Sequence, residues 1–417
     1  MLDFIKPAAS PFLITLFQRL FTLIALQQRG PTRLVLSPEV KVVFNQLKKQ
    51  RTIICANHPG EEDGPVLFGL SAMMHEKFFF LAAREIFGNS SSRSARMLQR
   101  LGCYSVQRGL ADIHAFKESC SLLEAGRHKL VIFPEGEVSF KNDSLREFES
   151  GPELIALSTQ NVLSKAGSRE RVFILPLAIK YVFSRDIERY LLKTLKLFEA
   201  QLGIISDNKT EFHKRLRRVF DDTLKQIESS YGLSNSQDSI DKRISAICDA
   251  RISQWEVRLG LVPSKNLSQV RQIHLVINGI AKLLYGQDNS ALPVDHLALE
   301  AAYRQLKQSI SLMAVTEHRF TERMSQEDAI ELLRALAQLL RPEMKIKRAD
   351  LVYIGAADPI DVSKFMPTVS AERKSKVKEL KHELEERISR RLSRLNHGGS
   401  SSRIAPGSAT LCKHSLL

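Results

Sequence analysis

Two stretches decide the fold: Thr52-Ile-Ile-Cys-Ala-Asn-His-Pro-Gly-Glu-Glu-Asp63 and Leu130-Val-Ile-Phe-Pro-Glu-Gly136. Each is an apolar run too short for a helix, broken by a turn that carries polar side chains. That is the pattern of a strand buried on both faces and ending in a loop. Outward from these two runs, further strand signals fall at 78–82, 104–106 and 172–181, so the spacing predicts strands over 52–56, 78–82, 104–106, 130–133 and 172–181. Between the third and fourth, Asp112 stands at a helix start. Ile113, Phe116, Cys120 and Leu123 follow at helical spacing, and Gly126 supplies the stop. Strands alternating with helices over residues 51–181 indicate an α/β layer.

Downstream the pattern becomes helical almost throughout, with segments at 212–229, 239–259, 267–284, 294–313 and 326–340, separated by turn-like patches such as 234–238 and 286–290. A strand pattern returns at 350–355, with Pro359 closing the turn after it. A strand so far downstream makes the helical region an insertion in the α/β domain. Residues 377–395 read as a charge-dense helix with Leu380, Leu384, Ile388 and Leu392 in a narrow apolar stripe. Its Arg390, Arg391 and Arg394 suit either a solvated face or a membrane. The Gly/Ser-rich tail from 398 onward reads as disordered.

The 417 residues carry 61 Lys and Arg against 46 Asp and Glu, a formal net charge of +15. This leaves open a nucleic acid, an anionic membrane, phosphorylated or CoA-like substrates, or charge that serves solubility alone. Little aromatic interleaving among the basic residues argues against a single-strand nucleic-acid binder. The five cysteines are scattered, without a Cys-x-x-Cys pair, so neither a disulfide framework nor a zinc site is expected, and a reducing cytosol fits. The N-terminus lacks the features of a secretory signal. The apolar stretch 12–26 would be about 22 Å long as a helix, short of a hydrocarbon core of about 30 Å, and Gln18 and Arg19 interrupt it. It reads as a helix lying in a membrane interface or as one packed on the core.

The block Asn57-His58-Pro59-Gly60-Glu61-Glu62-Asp63 carries the chemistry. The ends of strands in an open α/β sheet are where ligands bind. A carboxylate that holds one imidazole nitrogen leaves the other free to accept a proton. No serine or cysteine stands in a nucleophile elbow, so the nucleophile belongs to the substrate. Glu61 and Glu62 read as loop residues, because no second histidine lies at ligand spacing; no metal is expected. GxGxxG and Walker patterns are absent, which leaves nucleotide-dependent redox and phosphoryl transfer unsupported.

Asn57, His58 and Asp63 resemble the first block of the glycerolipid acyltransferases of the lysophosphatidate type, an Asn-His with an aspartate five residues on. The runs 81–87 and 101–109 are similar to the second block, Val131-Ile-Phe-Pro-Glu-Gly136 to the third, and 148–151 with 174–177 to the last. The resemblance implies a mixed sheet flanked by helices. With it the chain divides into an interfacial helix (1–30), the acyltransferase domain (31–185), a helical insertion (186–345), a closing strand (346–366), a charged helix (367–397) and a tail (398–417). It implies acyl transfer from acyl-CoA or acyl carrier protein to a lysolipid hydroxyl, with no other cofactor, at the cytoplasmic side of a membrane as a peripheral or monotopic protein.

By the same resemblance His58 is the base and Asp63 its orienting partner. Arg108 meets an anionic head group, and Pro134, Glu135 and Gly136 shape the acceptor pocket, with backbone N–H groups of that turn as candidates for the oxyanion. Asn57, Arg84, Ser139 and Lys141 stand as secondary candidates. Two departures matter. Glu137 and Val138 replace the family's Thr-Arg after Glu-Gly, and Ala83 stands where a lysine is common. An acceptor other than lysophosphatidate, or a catalytically idle relative that binds a surface, are the alternatives.

Overall fold

A computed structural model of the chain describes residues 3–28, 33–88, 92–205, 209–234, 238–263, 266–285 and 295–398. The expected turn at 286–290 lies outside the described residues, as does the expected disordered tail from 398 onward except for Gly398, which ends a helix. The chain divides into two compact units, one of residues 2–182 with 350–399 and one of residues 183–349.

The first unit is built from α1 (Pro11–Gln28), β1 (Arg33–Leu36), α2 (Pro38–Gln46), β2 (Arg51–Ala56), α3 (Asp63–Met73), β3 (Phe78–Ala83), α4 (Arg93–Arg100), β4 (Cys103–Val106), α5 (Ile113–Ala125), β5 (Lys129–Ile132), α6 (Gly151–Lys165) and β6 (Val172–Val182). The second unit holds α7 (Glu188–Gln201), α8 (Phe212–Ser230), α9 (Ile240–Leu259), α10 (Gln269–Tyr285), α11 (His296–Leu312) and α12 (Gln326–Leu340). The chain then returns to the first unit with β7 (Leu351–Ala356), β8 (Ile360–Asp361) and α13 (Arg373–Gly398).

The eight strands form one sheet in the order β1-β7-β6-β2-β5-β3-β4, with β8 on β6. Strands β2 to β6 run parallel. The strand at 351–356 pairs antiparallel with β6, which makes the sheet mixed, and β1 pairs parallel with it. Both faces are covered, which explains the continuous apolar runs. Ile53, Cys55, Leu130 and Ile132 pack on the side of α5, α6 and α13, whereas Ile54, Ala56, Val131 and Leu175 pack on the side of α2 and α3. The apolar stripe of α13 is an integral part of the first layer: Leu380, Leu384 and Ile388 are fully buried. Of its arginines, Arg391 pairs with Glu39 and Arg390 with Glu386.

The sequence patterns did not reveal the edge strand β1 or helix α6. The edge strand β1 has four residues. Helix α6 carries Pro152 in its first turn, a position where the missing N–H costs nothing.

Helix α1 divides the two readings of its apolar run. Ile14 is 1% exposed, and Gln18 donates to Ser71 Oγ (2.9 Å) and the Glu76 carbonyl (2.8 Å), so one side is docked on α3. Phe12, at 74% exposure, and Leu16 face outward. No helix among the described residues is long and apolar enough to cross a membrane.

Near the start of α6, Glu153 is fully buried, and its carboxyl is pushed up to about 7 by burial, partly offset by Lys381. Its pKa is raised in the folded state, so the fold loses stability as pH rises from the ordinary carboxylate range through about 7. Glu153→Gln is therefore expected to leave the melting temperature unchanged at pH 5 and to stabilise by about 2 kcal/mol at pH 8.5. Thermal melts of both proteins at the two pH values check this. An equal effect at both would contradict it.

Candidate active site

Strand β2 ends at Ala56, opposite Leu177, while β6 runs on to Val182. Asn57 bridges the gap. Its fully buried carboxamide donates to the Ile179 carbonyl (2.9 Å) and accepts from the Ile179 N–H (2.7 Å), so a side chain continues the ladder that the backbone has left. The loop released beyond it carries His58 and closes at Asp63, the first residue of α3.

His58 Nδ1 lies 2.6 Å from Asp63 Oδ2, which also accepts the Gly60 N–H at 3.0 Å. The Asp63 side chain is fully buried and that of His58 is 17% exposed. An ionised Asp63 assigns the Nδ1–H tautomer and leaves Nε2 as the acceptor. The imidazole stacks on the Phe133 ring with centroids 4.1 Å apart and planes 17° off parallel. At Gly60, a Cβ would meet Glu62 Oε2 at 3.1 Å and the Tyr181 ring at 3.2 Å, so the turn is closed to larger residues unless those side chains shift.

The loop after β5 fastens the His58 backbone. Glu135, 4% exposed, accepts the His58 N–H at 2.7 Å on one oxygen and the Arg146 N–H at 3.0 Å on the other. Burial raises the Glu135 pKa, and these two N–H donors work against that rise. Ser139 donates to the His58 carbonyl through its N–H (2.7 Å) and its hydroxyl (3.1 Å). The structure thus gives Glu135 and Ser139 a bracing geometry about His58. Pro134 accepts the Glu149 N–H at 2.7 Å. Gly136 has φ +69°, and its N–H is committed to the Phe133 carbonyl at 3.0 Å. One of the N–H groups expected to serve an oxyanion is therefore held in a turn.

The basic candidates fall in different places. Arg84 is buried and donates to the carbonyls of Asp3 and Gly88, both at 2.9 Å, so it holds the N-terminal segment to the end of β3. Burial lowers its pKa, opposed by Asp3 and Glu85. Arg108, after β4, sits between Glu85 (2.7 Å) and Glu137, an ion pair on each side. Burial works against its charge, and Glu137 and Glu85 overcome that and hold the guanidinium protonated. The Lys141 N–H meets Ser139 Oγ at 3.4 Å.

Several contributors carry no sequence signal of their own. Tyr181 on β6 donates to Asp63 Oδ1 at 2.5 Å, and Asn142 pins the Tyr181 backbone by two 2.8 Å bonds. Glu85 becomes a partner of Arg108 only through the fold. Elsewhere, in the helical unit, Glu211, His213 and Glu322 bring ligand-type atoms within 4.8 Å of one another, with Glu211 also paired to Lys214.

A search of curated proteins found no match to the chain. A family model described as Acyltransferase matches residues 39–180, the stretch that supplies β2 to β5, most of β6, and the His58–Asp63 pair. Over those residues the chain carries a domain of the Acyltransferase family, which includes the lysophosphatidate acyltransferases.

Proposed function

We propose that the protein moves a fatty acyl group from an acyl thioester, acyl-CoA or acyl carrier protein, to the hydroxyl of a lysolipid. The observation that carries the reading is the 2.6 Å contact of His58 Nδ1 with a fully buried Asp63 at the end of a central strand. His58 Nε2 takes the hydroxyl proton as the oxygen attacks the thioester carbon. The tetrahedral oxyanion collapses, the carbon–sulfur bond breaks, and the thiolate leaves with the proton from the imidazolium. Asp63 stabilises that imidazolium, and no acyl-enzyme forms. Incubation with labelled acyl-CoA and a panel of lysolipids tests this: a labelled diacyl product is expected, and absence of product from every acceptor and from both donor classes would overturn it.

The acceptor follows from Arg108. Glu85 and Glu137 already hold its guanidinium from both sides, so a phosphate monoester would have to compete with two carboxylates for it, which suits a zwitterionic or less anionic head. Glu137→Thr with Val138→Arg removes one carboxylate and adds a cation. A charge-assisted hydrogen bond is worth about 1.5 to 3 kcal/mol, so the double variant should shift preference toward lysophosphatidate over lysophosphatidylcholine by about 10-fold or more. Competition between the two acceptors measures it. A strong lysophosphatidate preference in the unaltered protein, with no gain in the variant, would show that other cations hold the phosphate.

We assign the outward side of α1, with Phe12 and Leu16, to an anionic membrane surface, together with Arg93, Arg96, Met97 and Arg100, which lie exposed on α4. The two are joined, since Ser10 donates to the Arg100 carbonyl at 2.9 Å immediately before α1. Deleting the N-terminus would be a poor test, because Ile5 exchanges hydrogen bonds with Ser105 and is buried. Phe12→Asp with Leu16→Asp should instead release the protein from vesicles at any salt. Reversal of the three arginines should abolish only the salt-sensitive share. Unchanged sedimentation of both variants would place the contact elsewhere.

A further inference from the structure

The His58–Asp63 pair accounts for one oxygen of a fully buried carboxylate, and the other oxygen is held by Tyr181. We infer that Tyr181 is a positioning residue of the active site, a phenol that fixes the Asp63 carboxylate from behind and through it sets the plane of His58. The inference rests on the catalytic reading of His58 given above.

The geometry has three parts. Asp63 Oδ2 is shared by His58 Nδ1 and the Gly60 N–H, so the carboxylate needs a donor on Oδ1 to be fixed against rotation about its Cβ–Cγ bond. The Tyr181 hydroxyl, 2.5 Å away, is that donor. It can be there because β6 outlasts β2: the ladder between them ends at Ala56 and Leu177, and Tyr181 lies on the overhang beside the loop that β2 has released. The overhang is hydrogen-bonded along both edges. Ile179 is bound at both polar atoms by Asn57, Tyr181 at both by Asn142, and β7 pairs along the far edge from Leu177 to Val182.

A phenol on a strand held from both sides suits this task because a charge-assisted hydrogen bond to a buried carboxylate is directional and strong, and a neutral donor brings no second charge to the pair. The chain Asn142, Tyr181, Asp63, His58 therefore links the loop after β5 to the imidazole through side chains that sequence spacing does not connect.

The test is a pair of substitutions measured in two backgrounds with the acyltransfer assay. Tyr181→Phe keeps the ring beside Gly60 and removes only the hydroxyl. It should lower kcat by about 10-fold with KM for both substrates unchanged, since a misaligned base costs turnover and not binding. In an Asp63→Asn background the same change should cost less than about twofold, because the carboxylate it positions is already gone. The melting temperature of Tyr181→Phe should fall only by the share of this one hydrogen bond, with circular dichroism unchanged. A purely structural tyrosine would instead lower activity equally in both backgrounds. Wild-type kcat for Tyr181→Phe, or an undiminished loss in the Asp63→Asn background, would overturn the inference. Failure of His58→Ala and Asp63→Asn themselves to reduce activity would instead overturn the catalytic reading on which it rests.

Discussion

His58→Ala is expected to lower turnover by about 100-fold or more, because general-base assistance is typically worth about 10² to 10⁴. The acceptor hydroxyl is a poor nucleophile until its proton is taken, and Nε2 of the stacked, partly exposed imidazole is the acceptor that the geometry leaves open. Asp63→Asn should fall in the same direction, for a different reason. The amide can no longer hold the Nδ1–H tautomer or stabilise the imidazolium, although it keeps the size of the side chain. Circular dichroism should be unchanged in both variants, since the Asn57 bridge and the Glu135 and Ser139 contacts hold the loop through its backbone. Initial rates with the best acceptor measure the effect. A near-normal rate for His58→Ala would remove general-base catalysis by this residue from the mechanism.

The residues behind these expectations differ in how far the sequence disclosed them. Buried parallel strands announce themselves as apolar runs, and a polar block at their ends marks the place where ligands bind. His58, Asp63 and the turn at Pro134 were therefore legible without coordinates. What the sequence does not encode locally is strand overhang. Tyr181 reaches Asp63 because β6 is longer than β2, and no spacing between residues 63 and 181 states that. The same holds for Arg108. Its likeness to a phosphate-binding position was legible, but its pairing with Glu85 and Glu137, which come to it from elsewhere in the chain, was not. Glu135 shows the same limit. Its place in the Phe-Pro-Glu-Gly run was legible, but not that its two oxygens accept the backbone N–H groups of residues 58 and 146. The Acyltransferase match, which covers residues 39–180, leaves the helical unit without such a guide.

Within that unit the largest effect on stability is expected at Arg243 on α9, whose side chain is 1% exposed. Its guanidinium grips Glu228 of α8 by two bonds of 2.8 Å and reaches Asp221 at 2.8 Å. Burial of both charges is costly, and the pairing offsets that cost only while both partners are present. Arg243→Met should therefore destabilise by about 3 to 5 kcal/mol, because it strands Glu228, whose side chain is 3% exposed. Asp221 is spared, since Arg217 also pairs with it. For a unit of this size the loss corresponds to a fall of roughly 10 °C in the melting temperature. Arg243→Met combined with Glu228→Leu should recover most of it, because two apolar side chains of similar volume replace the pair and no charge is left buried. Calorimetry of the three proteins decides between a penalty of unpaired charge and one of lost packing. If the double variant melts as low as the single one, helices α8 and α9 depend on the ion pair itself for their contact.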